Sequence, residues 1–112
     1  MDRKSNLVEK EFVFVVKTNE LKLNVPSTFE VEDRFVVVVK SDDGIFCIDD
    51  VCTHDGGTLG DGEFLENCLV CPRHGAKFDV KTGIAVTMPA TESTVSHEIK
   101  IDGDSVLVRL AI

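Results

Sequence analysis

The sequence predicts an all-β fold, with an antiparallel β-sandwich or barrel as its base and a small β subdomain inserted into it. Two segments, residues 12–16 and 35–39, are rich in valine and phenylalanine, which favour the pleated surface of a buried sheet. Residues 28–32 alternate apolar and polar side chains, as expected of a strand with one wet face. No segment carries a helical stripe, and at most one short turn is expected within residues 18–23.

Two turn sequences predict β-hairpins. Ser-Asp-Asp-Gly at residues 41–44 and Asp-Gly-Asp at residues 102–104 each separate two apolar segments. The segments that they would pair are residues 35–40, 45–48, 95–101 and 106–110.

The length of 112 residues predicts a single domain, residues 1–112. Residues 1–49 and 91–112 are expected to pair into the base. Five of the eight glycines lie between Gly56 and Gly75, which implies tight loops there. The segment of about residues 50–90 is therefore expected to form the inserted subdomain that carries the functional residues.

Charge and hydropathy exclude several classes of protein. A net charge of −8 argues against nucleic-acid binding, which needs clustered Lys and Arg. No apolar run reaches the roughly 20 residues of a membrane span, and the first residues lack the apolar stretch of a secretory signal. A cytoplasmic protein is therefore expected. The acidic excess is explained by solubility, and steering onto a basic partner is the alternative.

Two short arms carry the candidate chemistry. The first runs from Cys52 to His54, and the second, sixteen residues later, runs from Cys71 to His74. Each arm offers one thiolate and one imidazole, and iron accepts both kinds of ligand. A reducing cytosol disfavours disulfides, so metal ligation is the better explanation of these cysteines. Zinc is the alternative, bound by the same four residues or by Cys68, Cys71, His74 and a fourth ligand.

The arms and their surroundings resemble the cluster-binding loops of the Rieske family. The similarity begins with Cys-Thr-His-Asp-Gly-Gly at residues 52–57 and includes Cys-Pro-Arg-His-Gly at residues 71–75. It continues with Phe78-Asp79, Thr82-Gly83 and Pro89-Ala90.

The resemblance implies a Rieske-like fold and one 2Fe–2S cluster as the cofactor. Cys52 and Cys71 would bind the inner iron. His54 and His74 would bind the outer, solvent-facing iron. Neutral imidazoles in place of two thiolates raise the reduction potential above that of clusters held by cysteine alone.

Two departures separate this chain from the respiratory branch of the family. Gly57 and Arg73 stand where that branch has two further cysteines, so the corresponding disulfide cannot form. Ala76 and Phe78 stand where that branch has a serine and a tyrosine, whose hydroxyls donate to a sulfide and to a cysteine sulfur. Without those donors, we expect a midpoint potential in the lower half of the Rieske range of about −150 to +300 mV.

Five loop residues are expected to support the cluster. The backbone N–H groups of Gly56, Gly57 and Gly75 would approach the sulfurs. Pro72 would restrict the second arm, and Pro89 would cover the cluster from a third side.

Three further residues are assigned no ligand role. Cys47 lies in an apolar strand and Cys68 adjoins one, so both are expected to be packed thiols. His97 lies among polar residues and is expected at the surface.

By the resemblance, the chain is a soluble ferredoxin that carries one electron at a time from a flavin-containing reductase to an oxygenase. We expect no catalytic role, because a mononuclear iron site needs two histidines and a carboxylate. The chain has only three histidines, and the cluster would take two. A monomeric carrier is expected. The alternatives are a small Rieske subunit of a larger reductase, similar to that of nitrite reductase, and a zinc-binding interaction module.

Overall fold

The computed structural model describes residues 11–73, 75–87 and 92–111. Its regular elements are β-strands, apart from one 3₁₀ turn at Thr18–Glu20, and the predicted all-β class is confirmed. The strands are β1 (Val13–Lys17), β2 (Ser27–Val31), β3 (Arg34–Ser41), β4 (Gly44–Asp49), β5 (Glu63–Leu65), β6 (Cys68–Val70), β7 (Lys77–Asp79), β8 (Ser96–Asp102) and β9 (Ser105–Arg109).

The strands form two antiparallel sheets. The larger has the order β1-β9-β8-β4-β3-β2, and the smaller has the order β5-β6-β7. Strands β1 and β2, at opposite ends of the larger order, contact each other, so that sheet curves into a barrel-like base. Both predicted hairpins are present, as β3–β4 and β8–β9. Among the residues described, no helix has the length and apolar character needed to cross a membrane.

Strand β3 separates two hydrophobic cores. Val36 and Val38 point into the base, together with residues of β1 and β9. Val37 and Val39 point the other way, into a core shared with the two cysteines of the predicted metal site. All four valines are completely buried, and their alternation is the period-two geometry of a strand. A register shift of one residue would exchange the two cores, so the register of β3 fixes the position of the site relative to the base.

His97 is buried, and the prediction of a surface position is wrong. Its side chain has no exposed area, and its Nε2 lies 2.7 Å from Oδ1 of Asp49. The backbone N–H of Ala111 donates to Nδ1 over 3.0 Å. Because Nδ1 accepts, the proton of the neutral ring is on Nε2 and is donated to Asp49. Arg34 completes the group by donating to both Asp49 oxygens, at 3.0 Å each, and to the carbonyl of Ala111.

The His97→Gln variant tests this network through pH. Burial lowers the pKa of His97 although the contact with Asp49 opposes this, so the folded protein favours the neutral ring. The folded pKa is below the unfolded value of about 6.5. The stabilisation is therefore complete above about pH 6.5 and is lost as the pH falls below it. Between pH 7.5 and 5, the thermal midpoint of the wild type should fall further than that of His97→Gln. Calorimetry measures the thermal midpoints. An equal decrease in the two proteins would contradict a neutral, buried His97.

Candidate metal centre

The first predicted arm is a closed loop of residues 52–57, here called the first loop. It follows β4. The backbone N–H of Cys52 donates to the carbonyl of Gly57 at 2.7 Å, and the carbonyl of Cys52 accepts from the N–H of Gly56 at 2.7 Å. Gly56 has a φ of +77°, in the left-handed region that glycine adopts without strain. The loop therefore returns the chain to Cys52 within five residues.

The second predicted arm, residues 71–76 and here called the second loop, follows β6 and repeats this pattern. The N–H of Cys71 donates to the carbonyl of Ala76 at 2.8 Å, and the carbonyl of Cys71 accepts from the N–H of Gly75 at 3.0 Å. Gly75 has a φ of +78°. Each loop thus places a glycine four residues after its cysteine. This shared spacing is a sequence signal that our interpretation missed.

The fold brings the two loop cysteines together in the core. Cys52 and Cys71 are 0% and 1% exposed, although nineteen positions separate them. Their Sγ atoms lie within 4.8 Å of each other, and a carboxylate oxygen of Asp55 is in the same group. Burial raises the pKa of the Cys52 thiol, and Cys71 raises it further, whereas the backbone N–H groups of His54 and Asp55 lower it by hydrogen bonding.

This donor set fits an iron–sulfur cluster. Two adjacent buried thiols do not readily become two adjacent thiolates, because the charge of Cys71 raises the pKa of Cys52. A cation bound between them stabilises both anions. The backbone N–H groups directed at Cys52 are the kind of donor that surrounds cluster sulfurs.

The structure describes only one of the two predicted histidine ligands. His54 is exposed at the surface of the first loop. His74 lies outside the described residues, as do Pro89 and Ala90, so the roles assigned to His74 and Pro89 stay predictions.

The contacts expected of Gly56, Gly57 and Gly75 with cluster sulfurs stay predictions. Their N–H groups donate to oxygen atoms, namely the Cys52 carbonyl, Oδ1 of Asp55 and the Cys71 carbonyl. These bonds close the loops, and the N–H groups that contact a cysteine sulfur come from elsewhere in the first loop.

Asp55 and Arg73 join the two loops, which the sequence interpretation did not foresee. Nε of Arg73 donates to Oδ2 of Asp55 at 2.7 Å, and Nη2 of Arg73 donates to the carbonyl of Thr58 at 2.7 Å. The guanidinium holds the pKa of Asp55 well below its usual range. The signal that was available is a pair of opposite charges, one beside the predicted histidine ligand of each arm.

A second carboxylate, Asp50, connects the segment just after the first loop to the base. This residue is only 5% exposed, and its Oδ1 accepts the backbone N–H groups of Leu59 and Gly60 at 2.6 and 2.7 Å. Its Oδ2 accepts from the hydroxyl of Thr28 on β2. A Cβ at Gly60 would lie 1.9 Å from Oγ1 of Thr28, so glycine is required for this approach.

The other cysteines are free thiols outside the metal group. Cys47 is 1% exposed, as predicted, and burial raises its pKa to about 12. Cys68 is half-buried on β6, and burial also raises its pKa. Within the described part of the chain, Cys71 is grouped with Cys52 and not with Cys68, which disfavours the second zinc arrangement.

Comparison with known proteins now decides the family. The model of the Rieske [2Fe-2S] domain matches residues 11–105. The chain belongs to this family. The cofactor of this Rieske domain is one 2Fe–2S cluster.

Relatives of this Rieske domain include ferredoxins. It is 34% identical over 82 residues to the ferredoxin component of a naphthalene 1,2-dioxygenase system from Pseudomonas aeruginosa, covering 72% of this chain and 78% of that protein. The ferredoxin of carbazole 1,9a-dioxygenase from Nocardioides aromaticivorans IC177 has 31% identity and a TM-score of 0.86, covering 89% of this chain and 98% of that one.

A third similarity concerns the fold alone. A chain in the complex of reduced oxygenase and oxidized ferredoxin of carbazole 1,9a-dioxygenase is 22% identical, with a TM-score of 0.83. The alignment covers 90% of this chain and 96% of that one. The Rieske fold inferred from the loops is thus confirmed over nearly the whole chain.

Two alanine substitutions in β3 separate the stability of the site from that of the base. Val37 and Val38 are adjacent and completely buried, but Val37 packs in the core of Cys52 and Cys71, whereas Val38 packs inside the base. Each truncation should lower the free energy of unfolding by about 2 kcal/mol. Only Val37→Ala should also accelerate cluster loss, measured as decay of visible absorbance. Equal decay rates in the two variants would contradict this division.

Proposed function

We propose that this Rieske domain is a soluble electron carrier that accepts one electron at a time from a reductase and passes it to an oxygenase. The observation that carries the proposal is the similarity to oxygenase ferredoxins, above 30% identity over most of each protein. Those relatives are electron-transfer components and not the catalytic components of their systems.

The proposed ligands are Cys52 and Cys71 for the inner iron, and His54 and His74 for the outer iron. The two buried sulfurs lie together at the ends of loops with the same hydrogen-bond pattern. His54, two residues after Cys52, is exposed at the surface. Buried sulfurs and an exposed His54 are consistent with an inner iron bound by cysteines and an outer iron bound by histidines.

Residues around the cluster would set its reduction potential and shield its sulfurs from water. When bound, the cluster supplies reversible one-electron chemistry. The core around Cys52 and Cys71 excludes water from the sulfurs. The exposed ring of His54 would offer a partner protein a short path to the centre. Ala76 and Phe78, both completely buried in the same core, bring no hydroxyl group to the sulfurs.

Further features of the carrier belong to the same proposal. The donor would be a flavin-containing reductase, and the carrier would be a cytoplasmic monomer. We also retain one domain over residues 1–112, with the base at 1–49 and 91–112 and the cluster-binding subdomain at about 50–90. The distribution of strands supports this division, because the larger sheet uses residues 13–49 and 96–109 and the smaller uses residues 63–79.

Serine substitutions test the ligand assignment. Anaerobically prepared wild type should contain about two iron and two acid-labile sulfide per chain and give a Rieske-type EPR signal when reduced. Cys52→Ser and Cys71→Ser should lose most of the iron, because serine does not replace the soft thiolate ligand. Cys68→Ser is the matched control and should keep the full content.

Other outcomes would favour other functions. If the native protein is colourless and contains stoichiometric zinc, it is a zinc-binding interaction module and not an electron carrier. Co-purification with a large reductase as a stable complex would favour a permanent subunit. A free protein that a flavoprotein reduces would support the carrier.

Ala76→Ser tests the expected low potential. The wild type should have a midpoint in the lower half of the range of about −150 to +300 mV, because Ala76 and Phe78 donate no side-chain hydrogen bond. A hydroxyl at residue 76 would stabilise the added negative charge and shift the midpoint upward. Redox titration followed by EPR measures both values. A wild-type midpoint near the top of the range would refute the argument.

A further inference from the structure

Arg73 crosses from the second loop to the first. Its guanidinium donates to Oδ2 of Asp55 and to the carbonyl of Thr58, both at 2.7 Å. The side chains of Asp55 and Arg73 are 19% and 35% exposed, so the pair lies near the surface and responds to ionic strength. We call Asp55 and Arg73 the interloop ion pair.

The first loop presents Asp55 in a fixed orientation. The other carboxylate oxygen, Oδ1, accepts the backbone N–H of Gly57 at 2.9 Å. This bond holds the carboxylate within its own loop and leaves Oδ2 directed at Arg73. The carboxylate therefore loses little further freedom when the arginine binds.

Gly57 provides the space that Arg73 occupies. A Cβ at residue 57 would lie 2.3 to 2.6 Å from Cζ, Nη2 and Nε of Arg73. Residue 57 does not have a left-handed backbone, so the need for glycine there is steric. An alanine would displace the guanidinium without changing any charge.

In the sequence, each residue of the ion pair is next to one predicted histidine ligand. Asp55 directly follows His54, and Arg73 directly precedes His74. Because consecutive Cα atoms are about 3.8 Å apart, a contact between Asp55 and Arg73 restrains the separation of the two loops next to the ligands. On the other side of His54, the hydroxyl of Thr53 donates to the carbonyl of Glu92 at 2.5 Å.

We propose that Asp55 and Arg73 are positioning residues that hold the two ligand loops at the separation the cluster requires, in the space left by Gly57. This inference rests on the proposed ligand set. A planar guanidinium that binds both Asp55 and a carbonyl has a directional role that a lysine ammonium does not reproduce.

A double-mutant cycle on the loaded protein tests the proposal. Asp55→Asn and Arg73→Gln should each accelerate cluster loss about five-fold, measured as decay of visible absorbance at low salt. The double variant should also lose its cluster about five-fold faster, and not about twenty-five-fold, because the same contact is already broken. High salt should bring the wild-type rate towards that of the variants.

Three more variants exclude a general loss of stability. Gly57→Ala should lose its cluster as fast as Arg73→Gln. Arg73→Lys should lose its cluster at a rate between those of the wild type and Arg73→Gln. Glu98→Gln is the control, because it breaks the arginine–carboxylate pair of Glu98 and Arg109 on β8 and β9. It should leave the rate of cluster loss unchanged.

The EPR spectrum of the reduced protein gives a second readout. The variants of the interloop ion pair should broaden the signal, because the ligand loops would sample a wider range of separations, whereas Glu98→Gln should not. Additive effects of the two single variants, or equal acceleration by Glu98→Gln, would overturn the positioning role. Wild type without iron and sulfide would instead overturn the ligand assignment of the proposed function.

Discussion

Two thiols that are buried side by side impose the main constraint on this structure. Cys52 and Cys71 come from different loops, are excluded from water, and have their sulfurs within 4.8 Å. Burial and the nearby Cys71 both disfavour the thiolate form of Cys52 unless a cation lies beside it. The site is therefore suited to an inorganic cluster, and the surrounding backbone is arranged to keep the two sulfurs together.

The base meets this constraint through a strand shared by two cores. Strand β3 directs Val37 and Val39 towards the cysteines and Val36 and Val38 into the barrel-like sheet. Asp50 adds a polar connection, since its buried carboxylate holds Leu59 and Gly60, just after the first loop, against β2. The segment that carries the two cysteines is thus attached to the base by packing and by hydrogen bonds.

The contact between the two loops is ionic in this chain. Gly57 and Arg73 stand at the positions where the respiratory branch would carry its bridging cysteines. Here the guanidinium of Arg73 fills the space over Gly57 and binds Asp55. An ion pair responds to ionic strength and not to thiol reagents.

Local patterns in the sequence determined the strand class, the two hairpins and the pair of Cys/His arms, because period-two alternation, turn residues and ligand spacing act over a few residues. They could not determine the burial of His97, which depends on Asp49 of a paired strand and on the distant Ala111. The interloop ion pair was likewise decided by the tertiary structure. Such partners are selected by the packing of segments far apart in the chain, and spacing along the sequence does not encode that proximity.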